Sequence, residues 1–353
     1  MNAARVTENQ SPLSRYLPKL WQKLSPLRLT QLPTPAQRLQ GLGKKLGRED
    51  LWIKRDDLTS PLYGGNKPRK LEFLLGQARQ QGHDWLLTMG AFGSNHLLAT
   101  VLHGRSLGMG TTGVIFPQPI TAHVLRNLAA CRAAGAELVP IASKYLLPLA
   151  VARTLTETAL RRGRRPYLIA GGGSSPLGVL GYVNAGLELA EQVACGVLPA
   201  PQEIFLTWGT GGTVVGLWLG VRLAGLKCRV RAVRVIDPLL ANRPRLELLA
   251  RAVRRLMASA GDGFRLSTDA ELAVEGDYLG EGYGVASEAS RRAVEIFAAE
   301  EKLQLENTYT GKAAAAFLEA ARRGEKGPLL YWHTLSSADI SSWVDAGLRL
   351  ERT

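Results

Sequence analysis

The chain reads as an α/β protein built on open, mostly parallel twisted sheets covered by helices. Three observations predict this. Short apolar runs alternate with helix-length segments along nearly all of its 353 residues, which is the pattern of parallel strands joined by crossover helices. Glycine joints stand where several of those runs end, at Gly64-Gly65, Gly90, Gly171-Gly172-Gly173 and Gly209. Hydrophobic residues make up 46% and charged residues 21%, ordinary values for a globular chain long enough to bury a sizeable core.

Residues 1–50 are proline-rich and irregular, with Leu32-Pro33-Thr34-Pro35 as a turn before a short helix. Residues 51–58 form a strand-like run that stops at the glycine pair. Asn66 then reads as the N-cap of a helix, its side chain accepting from a first-turn amide. Pro68 fits that first turn because its missing N–H is not needed there. Leu71, Leu74, Leu75 and Ala78 follow at helical spacing and give the helix a buried face. Strands are then expected over 85–89, 113–116, 136–141 and 167–170, with helices over 94–107 and 122–134 and a third ending at 160. A long helix over 176–193 leads to a strand at 204–208, a glycine loop, an apolar helix at 214–223 and a strand at 229–236. A helix at 245–257, an irregular stretch to 285, helices at 286–301 and 311–322, and a closing strand at 329–333 complete the order. In open sheets of this kind the ligand crevice lies beyond the strand C-termini, where the glycine joints stand.

Bulk properties exclude several classes. No apolar run reaches the roughly 18 residues that a membrane span needs. The first residues lack an apolar signal region and carry Glu8, Pro12 and Pro18, so a cytoplasmic protein is expected. Cys131, Cys195 and Cys228 are odd in number and scattered, which offers neither a disulfide framework nor metal-ligand spacing. The net charge of +14 is the unusual feature. It is dispersed over separate arginine clusters, without a helix-turn-helix or aromatic-basic interleaving, so solvated helix ends explain it better than a nucleic-acid surface.

Five segments carry candidate chemistry. Lys67 opens the helix after Asn66; it is either a solvated helix start or a lysine held for imine formation, made harder to ionise by the helix dipole. The loop Trp208-Gly209-Thr210-Gly211-Gly212-Thr213-Val214, between an apolar strand and an apolar helix, is either a tight turn or an anion cradle. It lacks the Gly-Lys-Ser/Thr of a nucleotide P-loop. Met89-Gly90-Ala91-Phe92-Gly93-Ser94-Asn95-His96 ends a strand, with Ser94 able to cap the next helix. Gly282-Tyr283-Gly284 and Thr308-Tyr309-Thr310-Gly311-Lys312 each set a tyrosine beside glycine, a turn pattern as much as a catalytic one. Lys312 is expected to pair or pack in the helix that follows.

Taken together, Ile53-Lys54-Arg55-Asp56-Asp57-Leu58 and the segment from Tyr63 to Leu74 resemble the cofactor-lysine region of pyridoxal-phosphate enzymes of fold type II. The branch they resemble is that of D-cysteine desulfhydrase and 1-aminocyclopropane-1-carboxylate (ACC) deaminase, and the likeness covers nearly the whole chain. It implies the tryptophan-synthase-β-like fold, with residues 1–69 and 178–353 as the larger cofactor domain and 70–177 as an inserted smaller one. It implies pyridoxal 5′-phosphate as cofactor, carried on Lys67, with its phosphate in the cup formed by Gly209, Thr210, Gly211, Gly212 and Thr213. By the same resemblance Asn95 bonds the cofactor's 3′ oxygen, Ser94 and His96 approach the substrate carboxylate, and Tyr283 and Tyr309 line the substrate pocket as acid-base or nucleophilic groups. Thr310 and Thr334 match the desulfhydrase-like pair beside the ring nitrogen, where ACC deaminases carry Glu and Leu. Two departures stand out: Phe92-Gly93 replaces the usual Ile-Gln, and Leu335-Ser336 follows His333-Thr334 where Gly-Gly is usual. The implied activity is β-elimination from a small D-amino acid, D-cysteine above all, in a homodimer. ACC deamination, elimination from another β-substituted amino acid, and cofactor binding without catalysis are the alternatives.

Overall fold

The structure, a computed structural model, describes residues 11–350. Residues 1–10, within the stretch read as lacking a signal, lie outside the described residues. In chain order the strands are β1 (Ala36–Arg38), β2 (Leu51–Arg55), β3 (Trp85–Ala91), β4 (Gly110–Phe116), β5 (Glu137–Pro140), β6 (Tyr167–Leu168), β7 (Glu203–Trp208), β8 (Cys228–Arg234), β9 (Ala270–Glu275) and β10 (Leu329–His333). They form two sheets, a six-stranded one in the order β1-β2-β10-β7-β8-β9 and a four-stranded one in the order β5-β4-β3-β6. Every neighbouring pair is parallel except β1 against β2. The expected α/β class with two open, mostly parallel sheets is what forms.

Central strands show why. β7 and β10 are buried along their whole length, because helices cover both faces, and such strands read as continuous apolar runs rather than alternations. Behind β7, the helices Pro176–Ala194 and Gly212–Leu223 approach until backbones touch. A Cβ on Gly186 would come 2.8 Å from Gly220 Cα, and one on Gly220 only 2.3 Å from the Val183 carbonyl oxygen. Only glycine permits that approach.

The helix Lys67–Gln80 joins the two sheets' territories, with Phe73 in the larger core and Leu71, Leu74, Leu75 and Ala78 in the smaller. A buried ionic network fixes its start. Arg69 donates to both carboxylate oxygens of Asp56 and of Glu188, and Lys54 Nζ donates to Glu188 Oε1 at 2.6 Å. Tyr182 and Trp332 add donors to Asp56 Oδ2. Buried charges persist only when paired and hydrogen-bonded in this way.

Some elements differ from the sequence expectation. The proline-rich start contains two short helices, Pro12–Tyr16 and Pro18–Lys23, each with proline in its first turn and burying Leu13 and Leu20 respectively. β9 lies inside the stretch read as irregular; it is a partly exposed edge strand whose Glu271 and Glu275 accept from Arg229 and Arg231 of β8. The C-terminal helix Ser341–Leu350, counted above with the larger domain, packs instead on the smaller unit. Trp343 and Val344 join its core, and a Cβ on Gly347 would strike the Ala129 carbonyl oxygen at 2.0 Å. Among the described residues no helix is long and apolar enough to cross a membrane.

Candidate functional site

A cavity of about 280 Å³ opens between the two sheets, walled by residues at or just past the C-terminal ends of β3, β4, β7, β8 and β10. Lys67, Ser94, Asn95, His96, Gly209, Thr210, Gly211, Thr213, Tyr283, Tyr309, Thr310 and Thr334 all line it. Of the residues to which the resemblance gives a role, Gly212 alone stands behind the lining. Segments scattered from residue 66 to residue 335 therefore meet in one cleft.

Lys67 is the first residue of its helix, and Pro68 follows in the first turn as expected. Asn66 does not cap it. Its backbone is already helical (φ −76°, ψ −10°), which turns the side chain away from the first amides. Asn66 Oδ1 instead accepts from Lys67 Nζ at 2.6 Å, and its Nδ2 donates to Thr213 Oγ1 at 2.9 Å. The asparagine thus links the lysine to the glycine loop. Burial pulls the Lys67 ammonium down to about 8, partly offset by the carboxylate of Glu306.

One turn on, Lys70 lines the same cleft, 1% exposed. Its Nζ donates to the Gly172 carbonyl oxygen at 3.0 Å, and among the described residues no carboxylate pairs with it. Burial, then the neighbouring Lys67, pushes its ammonium well below the usual range. A buried cation without a counter-ion marks a place for an anion. The glycine loop lies beside it. Gly211 has φ +91°, and a Cβ on Gly212 would sit 2.5 Å from Ser174 Oγ and 3.0 Å from Lys70 Nζ. Ser174 Oγ lies 2.7 Å from Thr210 Oγ1 and accepts from the Gly212 amide at 3.2 Å. Hydroxyls, an ammonium and first-turn amides at the positive end of the helix Gly212–Leu223 converge as a phosphate-sized cradle. Lys70 and Ser174 escaped the sequence reading; the only signal for Lys70 was its spacing of one helical turn from Lys67.

Ser94 Oγ accepts from the Leu97 amide at 3.2 Å, so it caps the helix Asn95–Ser106 while lining the cleft. His96 is buried. Thr88 Oγ1 donates to the Ile169 carbonyl at 2.9 Å, so the ring Nε2 is the donor in its 3.1 Å contact with Thr88 Oγ1. Burial, then Lys67 and Lys70, holds the imidazole neutral. What this corner offers an incoming carboxylate is the unpaired first-turn amides of the helix.

Across the cleft the hydroxyls of Tyr283 and Tyr309 are 2.5 Å apart, with ring centroids at 5.9 Å. Burial pushes Tyr283 up to about 12 and raises Tyr309 well above the ordinary phenol range. Both are protonated at neutral pH, so one can donate to the other and the second proton remains available. Lys312, expected to pair or pack in its helix, is buried there, with its amine directed at a neighbouring loop. Its Nζ donates to the Leu279 and Gly282 carbonyls, pinning the loop that carries Tyr283.

Glu306, unnoticed in the sequence, brings a carboxylate to the cleft. Its oxygens accept from the amides of Thr308, Tyr309 and Thr310 at 2.7–2.8 Å. Its own amide donates to Thr310 Oγ1 at 2.9 Å. The carboxylate is engaged in holding this loop, and Thr310, its hydroxyl bonded to Glu306, stands in the lining. Leu335 joins the lining too. Its backbone is wedged against Gly65, where φ is +82° and a Cβ would meet the Thr334 carbonyl oxygen at 2.5 Å.

With this geometry in view, a family model described as "Pyridoxal-phosphate dependent enzyme" matches residues 27–334. A D-cysteine desulfhydrase from Salmonella paratyphi C (strain RKS4594) is 34% identical over 315 residues, covering 87% of this chain and 93% of that protein. One from Salmonella newport (strain SL254) is 33% identical over the same extent. Among solved structures, an "ACC deaminase homologue" superposes with a TM-score of 0.78 at 29% identity, covering 97% of this chain and 99% of the other. A maize serine racemase, at a TM-score of 0.58 and 16% identity over 97% of each chain, shares the fold.

Proposed function

The chain belongs to the pyridoxal-phosphate-dependent enzymes, as a lyase of the D-cysteine desulfhydrase and ACC deaminase family, and from that premise we propose that its substrate is a small D-amino acid. With D-cysteine and one water the products are pyruvate, hydrogen sulfide and ammonia. The observation that carries the choice is the cleft's neutral hydroxyl pair, Thr310 and Thr334, where a carboxylate and a leucine would suit ACC.

The residues fit the cofactor. An amine on Lys67 would hold it covalently, while Lys70, Thr210, Thr213 and the loop amides would grip its phosphate. Asn95 would face the 3′ oxygen, and Thr310 with Thr334 the ring nitrogen. Pyridoxal phosphate supplies the electron sink for the pair left when the substrate's Cα loses its proton. Once the substrate's amine has displaced it from the cofactor, the free amine of Lys67 takes that proton; its ammonium is pulled down to about 8, near enough to neutrality for a general base. The first-turn amides at Asn95 and His96 orient the substrate carboxylate. The Tyr283–Tyr309 pair delivers a proton at the departing sulfur. A neutral hydroxyl beside the ring nitrogen leaves a weaker sink than a carboxylate would. Elimination tolerates that weakness because the departing sulfur takes the electron pair with it and the tyrosine proton neutralises it.

ACC deamination is the second reading, favoured by the structural likeness to the ACC deaminase homologue. The two separate in one double variant. Thr310→Glu with Thr334→Leu is expected to lower pyruvate release from D-cysteine and to raise α-ketobutyrate release from ACC, each by about tenfold or more. A double variant that keeps the parent's preference would remove the hydroxyl pair as the basis of selection.

A further inference from the structure

Asn95 lines the cleft with an amide that must point a particular way to act on a ligand oxygen, and three side chains converge on its far side. Asn95 Oδ1 lies 3.0 Å from the Tyr63 hydroxyl, 2.9 Å from Asn127 Nδ2 and 2.9 Å from His123 Nε2. No protein partner among the described residues takes Asn95 Nδ2. We infer that His123 is a positioning residue which, with Tyr63 and Asn127, locks the Asn95 amide so that Nδ2 faces the cleft.

The hydrogen inventory settles which groups donate. Asn127 Nδ2 has two hydrogens, one directed to the Gly93 carbonyl at 2.9 Å and one to Asn95 Oδ1. None remains for the His123 Nε2 atom 3.2 Å away. His123 therefore carries its own proton on Nε2 and donates it to Asn95. Burial keeps the Tyr63 phenol protonated, so it donates as well. A reversed amide would set Nδ2 against Asn127 Nδ2, whose two hydrogens are both directed, and would require Tyr63 to accept and His123 to change tautomer. The bond to Asn127 is then lost outright, and a buried partner left without its bond is costly. The three donors have different duties. Tyr63 is part of the smaller core, and Asn127 also ties Gly93 to the helix Ala122–Ala133. His123, half-buried at the start of that helix, has the amide oxygen as its directed partner. The Phe92-Gly93 departure falls beside this latch.

The inference rests on the proposal above in one respect, that the group receiving Asn95 Nδ2 is the cofactor's 3′ oxygen. The test measures cofactor dissociation constants and the pH midpoint of the bound cofactor's visible band in the parent, His123→Leu, His123→Gln, Asn95→Ala and Lys67→Ala, with thermal midpoints alongside. His123→Leu is expected to weaken cofactor binding roughly 3- to 10-fold and to displace the pH midpoint in the same sense as Asn95→Ala, at an unchanged thermal midpoint. His123→Gln, whose side-chain amide can donate over the same reach, restores most of both. His123→Leu indistinguishable from the parent in both readouts, while Asn95→Ala changes them, would overturn the inference and leave the proposed function standing. A visible band retained in Lys67→Ala would overturn both.

Discussion

Lys67→Ala is expected to lower turnover by on the order of 10⁴-fold or more and to abolish the visible band of bound cofactor. Among the described residues, Lys67 Nζ is held only by a neighbouring amide oxygen, at 2.6 Å. Lys70, the other cleft lysine, is anchored to the Gly172 carbonyl and faces the glycine loop, so it cannot stand in. The same reasoning fixes a pH dependence. Burial pulls the Lys67 ammonium down to about 8, so the amine able to attack a carbonyl is scarce below that pH and predominates above it. Capture of the cofactor by cofactor-free protein should therefore accelerate as pH rises and level off above about 8. Acceleration continuing to the ordinary lysine range would mean that Lys67 is solvated, the bland alternative for a basic helix start.

Arg69→Met should cost about 3–5 kcal/mol of stability, read as a shift in denaturant midpoint. The guanidinium is 1% exposed and pairs Asp56 and Glu188, which are 0% and 4% exposed at the side chain. Removing it leaves two buried carboxylates with too little positive charge. Burial alone would raise Glu188, but Arg69 and Lys54 outweigh it and hold the carboxyl to about 2. A depressed folded value means that this contribution is present above the unfolded value near 4.5 and is lost as pH falls toward about 2. The parent should weaken over that window, and Arg69→Met should show a smaller slope there. Because the network grips the helix two residues after Lys67, cofactor affinity should fall together with stability. A variant as stable as the parent would show the network to be dispensable.

Much of this was legible in the chain. Asn95 and the glycine loop follow directly on strand ends, and strand ends in parallel sheets converge on one crevice; Lys67 and both tyrosines stand in short motifs of their own. What escaped depended on contacts between distant segments. Glu306 acts through three backbone amides of its own loop, Lys70 through a glycine a hundred residues away, and His123 through an asparagine on another helix. None of these has a local signature. Asn66 failed as a cap because a side chain can bond either forward to its helix or sideways to Lys67 and Thr213, and only packing selects between them. β9 was missed because Ala-Glu-Leu-Ala-Val-Glu has a helix-forming composition, and its strand form depends on pairing with β8. The C-terminal helix crosses back to the smaller unit by a glycine contact that no periodicity announces.

The most direct measurement is α-keto acid release by the cofactor-loaded protein given D-cysteine, L-cysteine and ACC in parallel. The account predicts pyruvate from D-cysteine, with far less product from the other two. α-Ketobutyrate from ACC as the principal product, or no product from D-cysteine while cofactor remains attached through Lys67, would contradict it.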